Sequence, residues 1–260
     1  MRSHADNSDG WFAAMRRQRG KRALERQLDY QEAKAKSLAG GFDDLRRSMF
    51  VHSQLIRQKL ERIRPISEND KLLEVGSGAH GLIFGFGANF AVGIDPLAVD
   101  YRRLFPKWQE STATIAANGA ELPFDEASFD VVLSDNVIDH AEKPLRIVDE
   151  IVRVLRPGGL LYFTVNVHHP FYELVSKAHG AWNAMGLKFE VSPFADHTVH
   201  FSEEWIGRVF AELPLTIVSQ SSTVAETKAA SRQATIANAQ TLIRKMFFKN
   251  AHFEVVAVRD

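Results

Sequence analysis

Three glycines and two acids, set between short apolar runs, are the residues of this chain best suited to holding a small anionic molecule. The segment LLEVGSGAHG, Leu72 to Gly81, opens within an apolar run, Lys71 to Val75, that fits a buried parallel strand; Gly76, Gly78 and Gly81 then form a tight turn into a helix. Small residues there let the backbone approach a ligand closely. The free N–H groups of the helix start favour an anion, whether pyrophosphate or carboxylate. About twenty residues on, the run Phe90 to Ile94 ends at Asp95, where a carboxylate can accept hydrogen bonds from both ribose hydroxyls. Together these features read as a pocket for an adenosine-containing cofactor.

A second set of polar residues follows two later apolar runs. Ser134, Asp135, Asn136 and His140 come after Phe129 to Ser134, and His168 and His169 come after Leu160 to Asn166. Open α/β sheets bind ligands beyond the carboxyl ends of their strands, so these residues are expected near the pocket. Histidine is the natural type for proton transfer near neutral pH. His140 also suits helix capping or packing, and Asp135 and Asn136 would either hold an amine of the substrate or cofactor or form a turn. His168 or His169 is expected to line a ligand pocket. Asp196, His197 and His200 have metal-ligand spacing but no third strong ligand in sequence, so no metal is expected.

The elements that would position these groups alternate from residue 70 onward. Strands are expected at Lys71 to Val75, Phe90 to Ile94, Ala113 to Ala116, Phe129 to Ser134, Leu160 to Asn166, Leu215 to Gln220 and Phe253 to Val258. Helices are expected at about Gly81 to Gly87, Val99 to Phe105, Pro144 to Leu155, Ser202 to Leu213 and Ser231 to Phe248. Such alternation implies a doubly wound, mainly parallel seven-stranded α/β sheet covered on both faces, its last two strands forming an antiparallel pair at one edge.

Two further helices precede the sheet. Trp11 to Leu38 carries Arg16, Arg17, Arg19, Lys21, Arg22 and Arg26, with Gly40 and Gly41 as its stop, and Asp43 to Arg64 shows Leu45, Met49, His52, Leu55, Ile56, Leu60 and Ile63 at helical spacing. That stripe is expected to bury against the sheet. Residues 1–66 are therefore read as a helical N-terminal extension and 67–260 as the main domain, with an insertion at about 167–201. The insertion, rich in aromatics such as Phe171, Tyr172, Trp182 and Phe194, would form a helix near Pro170 to Met185 and then a loop over the pocket.

Composition narrows the classes. The chain has 260 residues, 45% of them hydrophobic, enough for a packed core. It has no cysteine, which excludes disulfides, thiolate chemistry and Cys-rich zinc sites. No run of eighteen apolar residues exists and the N-terminus is polar, so a cytoplasmic protein without a transmembrane segment is expected. Net charge is zero, yet residues 1–64 hold 15 Lys and Arg against 8 Asp and Glu, or +7, leaving −7 for the remainder. The basic helix would be a solvated face, a packing surface for a second copy, or a contact for nucleic acid, anionic lipid or an acidic substrate.

The series LLEVGSGAHG, VGIDP, GAELPFDEASFDVVLSDNVIDH and VRVLRPGGLLYF resembles the class I S-adenosylmethionine-dependent methyltransferases, particularly those acting on small molecules. The likeness covers roughly residues 70 to 165, and four motifs in order are more specific than any one glycine motif. A looser likeness, in IDPLAVDYRRLF and MFFKNAHFEVVAVR, is to methyltransferases of polysaccharide and cell-surface glycan biosynthesis. The resemblance implies S-adenosyl-L-methionine as cofactor and S-adenosyl-L-homocysteine as product. Gly76, Ser77 and Gly78 would receive the cofactor's carboxylate, Glu74 its amino group directly or through water, and Asp95 the ribose. Pro96 and Leu97 would edge the adenine, with a backbone contact near Ala120 and Glu121. Two departures stand out: His80 replaces a glycine usual in the family's loop, and Gly119 stands where an Asp commonly binds adenine, with Asn118 as its substitute.

Methyl transfer needs an acceptor aligned with the methyl and, for a hydroxyl, a base; His168, His169 and His140 are the candidates. The acceptor is expected to be a small molecule or glycan. The glycine spacing also fits G-x-G-x-x-G, so an NAD-dependent oxidoreductase is the main rival, although Glu74 and the later motifs are not features that class requires. A non-catalytic adenosylmethionine-binding regulator is another. Nucleic acid is an unlikely acceptor, since no Asn or Asp followed by Pro-Pro-Tyr is present.

Overall fold

The computed structural model describes residues 8–37, 42–171, 200–233, 246–248 and 250–260, with the side chains of 8–19 left aside. Two long helices come first, α1 (Ser8–Ser37) and α2 (Phe42–Glu61). The sheet follows as β1 (Lys71–Val75), β2 (Phe90–Ile94), β3 (Ala113–Ile115), β4 (Phe129–Asp135), β5 (Leu155–Val167), β6 (Leu215–Ser222) and β7 (Ala251–Arg259). Its spatial order is β3-β2-β1-β4-β5-β7-β6, parallel through β5, with β7 antiparallel to both β5 and β6. This is the doubly wound, mainly parallel seven-stranded sheet implied by the alternation of elements, and the chain order reverses direction at β1 and β4.

Between the strands lie α3 (Ile83–Phe86), α4 (Ala98–Leu104), α5 (Pro106–Gln109), α6 (Pro144–Val154), α7 (Glu203–Ala211) and α8 (Val224–Gln233). Proline at the first position starts both α5 and α6, where its missing N–H costs nothing. Ser202 caps α7 by accepting the Trp205 N–H. The central strands are apolar on both sides because both faces are covered. Leu73, Val75, Val132, Leu161 and Phe163 meet Ile147, Ile151, Ile206 and Phe210 on one face, and Leu72, Val131, Leu133 and Tyr162 meet Ile56, Leu60, Ile83 and Phe86 on the other.

The second helix therefore belongs to the covering layer of the sheet. Its buried line differs from the stripe expected from spacing: Ser53, Ile56 and Leu60 are buried, while Leu55 and His52 face solvent. Ser53 is small because Gly85 of α3 packs against it, and the helices approach closely there. Lys59, bonded to both carboxylate oxygens of Glu254 at 2.6 and 2.7 Å, ties α2 to β7. The glycine stop at Gly40 and Gly41, most of the insertion, and most of the helix expected over Ser231 to Phe248 lie outside the described residues.

Candidate functional site

The turn after β1 is held by hydrogen bonds that leave its outer side open. Gly76 and Ser77 both donate to the Ile94 carbonyl, at 2.7 and 3.0 Å, fastening the turn to the end of β2. Gly76 and Gly78 have φ of 76° and 55°, in the left-handed region that favours glycine. A Cβ at Gly76 would overlap the methyl groups of Val137, whereas nothing lies within 4 Å of where a Cβ at Gly78 would sit. The second glycine thus borders open space at the carboxyl ends of β1 and β2, the side where open sheets bind ligands.

Glu74 is buried beneath this turn. Its Oε1 accepts the Leu82 N–H at 3.0 Å and its Oε2 the Ile83 N–H at 2.9 Å, so the carboxylate caps the start of α3 from inside. Burial raises its pKa to about 8, against the lowering by those two N–H bonds. Gly81 is glycine because a Cβ there would collide with this carboxylate. The geometry gives Glu74 a capping role that its position in sequence did not reveal.

Asp95 sits at the end of β2 with Oδ2 accepting the Gly78 N–H at 3.0 Å and Oδ1 the Leu97 N–H at 2.8 Å. Burial raises its pKa, and the same two hydrogen bonds work against that rise. The carboxylate is fixed beside the glycine turn, while Pro96 next to it is exposed. On the third side, Asn118 organises a turn: its Oδ1 accepts the Ala120 N–H and its carbonyl accepts the Glu121 N–H. Both N–H groups at Ala120 and Glu121 are therefore engaged within the turn. Gly119 is required there because a Cβ would press on Val75 at 2.9 Å.

His80 turns inward. It is buried with its ring centroid 4.4 Å from Phe105 and 4.5 Å from Trp108, both edge-on, and burial lowers its pKa to about 4 with help from Lys34. The departure from the glycine pattern thus fills a third apolar cluster, to which Ala35 of α1 and Phe42, Leu45 and Met49 of α2 contribute. Gln109 fixes the loop from the same side, donating to the Ala79 carbonyl at 2.9 Å.

The fourth wall comes from the ends of β4 and β5. Thr164 Oγ1 donates to Asp135 Oδ1 at 2.5 Å and accepts the Asn136 N–H at 3.0 Å. Asn136, exposed, has φ of 60°, a strained backbone that persists only where surrounding bonds fix it. Asp139 is fully buried; its Oδ2 accepts from Asn166 at 3.2 Å and lies 3.7 Å from His140 Nε2. Sequence reasoning passed over Asp139 and Asn166. A carboxylate one residue from a candidate base, in a run that crosses a strand end, was the available signal.

The three histidines fall into different settings. His140 is 47% exposed, in the short helical turn Ile138–His140 that follows β4. His168 is buried, its N–H bonded to the Phe201 carbonyl and its ring 4.7 Å from that of His200. His169 is half-buried against Phe247 and Phe248, and its Nδ1 accepts the Phe171 N–H at 3.1 Å. An Nδ1 that accepts leaves the proton on Nε2 in the neutral ring. His197, noted for its spacing from His200, lies outside the described residues. Among the described residues no three His, Asp or Glu side chains converge as metal ligands, and no helix is long and apolar enough to cross a membrane.

The first helix touches segments that follow β2 and β4. A Cβ on Gly20 would lie 3.7 Å from Glu142, beyond the end of β4; Gln27 hydrogen-bonds Tyr101, which follows β2; Glu32 pairs with Arg103 at 3.3 Å.

Comparison with known proteins agrees with this architecture. Residues 73–163 match the methyltransferase domain family. An uncharacterized methyltransferase of Mycolicibacterium vanbaalenii is 37% identical over 100 residues, which are 37% of this chain and 39% of that relative. The match thus spans well under two thirds of the relative's length. Among solved structures, geranyl diphosphate C-methyltransferase from Streptomyces coelicolor A3(2), in complex with Mg2+, geranyl diphosphate and S-adenosyl-L-homocysteine, superposes with a TM-score of 0.53 at 16% identity, covering 80% of this chain and 79% of that one. The YcgJ protein of Bacillus subtilis gives a TM-score of 0.56 at 13% identity, covering 80% and 98%. Residues 73–163, on the β3-β2-β1-β4-β5-β7-β6 sheet, thus carry a class I S-adenosylmethionine-dependent methyltransferase domain.

Proposed function

We propose that the chain transfers a methyl group from S-adenosylmethionine to a hydroxyl of a small molecule or glycan. The observation that carries this reading is the pairing of an open, left-handed Gly78 with an Asp95 carboxylate fixed 3.0 Å from its N–H, at the carboxyl ends of β1 and β2. The open side of the glycine turn leaves room for the cofactor's amino-acid end, and Asp95 suits a ribose. A solved protein of the same fold holds S-adenosyl-L-homocysteine, which supports the choice of cofactor.

When bound, the sulfonium cofactor supplies an electrophilic methyl group, so the protein's task is alignment, water exclusion and removal of one proton. Gly76, Ser77 and Gly78 bind the cofactor's amino-acid end and Asp95 orients the ribose. Asp135 and Asn136, locked by Thr164, border the acceptor. His140 takes the hydroxyl proton. It stands in the short turn after β4, and buried Asp139 lies 3.7 Å away on the side where positive charge would develop. His169 is a weaker base candidate, because its Nδ1 lone pair is already committed to Phe171.

Calorimetric titration of the full chain with S-adenosylmethionine and with NAD tests the pocket. Binding of the first alone is expected, with Asp95→Ala weakening it about a hundredfold through loss of a charge-assisted pair of hydrogen bonds. Binding of NAD in its place would return the site to the dehydrogenase reading. Tight cofactor binding with no labelled methyl passed to any member of a broad hydroxyl panel would favour a silent regulatory role.

A further inference from the structure

Outside the crevice, α2, α3 and α5 enclose a cleft of about 360 Å³, a size that suits a small molecule. Its walls are apolar, made by Met49 and Phe50 of α2, Phe84 of α3 and Trp108 of α5. Arg46 and Arg47, both exposed, stand at its rim with Asp43. One end is closed where α2 meets α3: a Cβ on Gly85 would lie 3.0 Å from the Phe50 Cα, so the helices touch there.

The cleft and the cofactor turn share a wall. Gly81 lines the cleft, and a Cβ on it would strike the Ser77 carbonyl and the Glu74 carboxylate. Trp108 lines it too, with its ring edge-on to His80 at 4.5 Å between centroids. The next residue, Gln109, is buried and donates to the Ala79 carbonyl at 2.9 Å and to the Gly78 carbonyl at 3.4 Å. Its side-chain oxygen accepts from Thr114 of β3 at 3.2 Å, which fixes the amide in that direction. α5 thus walls the cleft with one residue and grips the glycine turn with the next, so a group pressed against Trp108 acts on Gly78.

The lining defines what fits. The slot bounded by Met49, Phe84 and Trp108 takes a flat apolar ring. Arg46 makes no ion pair among the described residues and Arg47 only a 4.0 Å contact with Asp44, so both guanidinium groups are available to a carboxylate through charge-assisted hydrogen bonds. The Trp108 Nε1–H is buried with no acceptor among the described residues; buried N–H groups ordinarily have one, which favours a ligand that brings an oxygen to this wall. We propose that the cleft is an effector site for a small aromatic acid, whose binding steadies α5 against the glycine turn and tightens the hold on S-adenosylmethionine. The proposal requires the cofactor at that turn and is independent of which acceptor is methylated.

The probe is cinnamate, titrated by calorimetry into the full chain, followed by S-adenosyl-L-homocysteine titrations with and without it. Saturable cinnamate binding is expected, and S-adenosyl-L-homocysteine should bind at least about fivefold tighter when cinnamate saturates, the lower end of ordinary coupling between sites. Cinnamyl alcohol, the same ring without the charge, should bind at least about tenfold more weakly than the acid. The double variant Arg46→Ala, Arg47→Ala should lose about as much cinnamate affinity, and Ser111→Phe, which fills the rim, should abolish it. All three side chains are exposed and away from the glycine turn, so both variants should bind S-adenosyl-L-homocysteine alone as the parent chain does. Absence of cinnamate binding, equal binding of the alcohol, or undiminished binding by the variants would overturn the proposal. So would an S-adenosyl-L-homocysteine affinity that cinnamate leaves unchanged or lowers; a lowering that persists in both variants would put the acid in the cofactor crevice. Each of these results leaves the methyl-transfer reading standing.

Discussion

At the ends of β1 and β2, polar groups are tied to partners 2 to 17 residues away: Glu74 to Leu82 and Ile83, Asp95 to Leu97 and Gly78. At the ends of β4 and β5 the ties span 27 to 29 residues, joining Asp135 and Asn136 to Thr164 and Asp139 to Asn166. The cofactor side is thus set by a nearly contiguous stretch of chain, while the acceptor side exists only once β5 has docked against β4. A pocket for a common cofactor can be carried as one transferable segment. On the proposed reading, acceptor recognition would rest on contacts that form only when the later strands pair.

The sharpest way to break that contrast is to remove the proposed base. His140→Ala is expected to lower turnover about 10²–10⁴-fold with cofactor affinity unchanged, the range typical of a positioned general base. His169→Ala is expected to leave turnover near its original value, because the Nδ1 bond to Phe171 already fixes the ring's proton on Nε2. Steady-state rates with one competent acceptor decide between them. A large loss in the His169 variant with none in the His140 variant would move the catalytic centre to the β5 end.

The two halves meet at Gly76, whose missing side chain leaves room for Val137. Gly76→Ala combines a left-handed backbone with a steric overlap and is expected to cost about 3 kcal/mol of stability. Gly78→Ala has the left-handed backbone but open space around it, so about 1 kcal/mol is expected. Cofactor affinity should show the opposite order in whatever fraction folds, since a methyl at Gly78 projects into the volume proposed for the ligand. Urea unfolding and calorimetry on both variants test this; equal stability losses would mean the loop relaxes and the seam is soft.

How much of this was legible follows from the same contrast. The strand positions, the glycine turn and Asp95 could be read because each depends on residues adjacent in sequence. The capping role of Glu74 was hidden because a carboxylate before a glycine turn looks the same whether it faces a ligand or a helix start. The inward turn of His80 was not readable either: it depends on Phe105 and Trp108, and on helices contributed by residues more than thirty positions earlier. Likewise, Leu55 and Ser53 exchanged their expected places because Gly85 permits close packing only against a small side chain. Asp139 and Asn166 became neighbours only through strand pairing.

The remaining expected effects are on pH dependence, and they belong to the cofactor side. Burial, with Lys34 nearby, lowers the His80 pKa to about 4 from an unperturbed 6.5, so the unfolded chain binds a proton that the folded chain refuses. Stability from this group is fully present above pH 6.5 and is lost as pH falls toward 4, on the order of 2 kcal/mol between pH 7 and 5. Glu74 acts in the other direction. Its pKa is raised from 4.5 to about 8, so its contribution is greatest below pH 4.5 and declines as pH rises through 8. Thermal melts from pH 4.5 to 8.5 should therefore show an acid limb that flattens in His80→Leu and an alkaline limb that flattens in Glu74→Gln. The glutamine keeps one acceptor for the α3 N–H groups while removing the charge. If neither limb moves, the loop and the start of α3 open to water far more readily than their packing implies, and the cofactor side would not be the rigid half of the crevice.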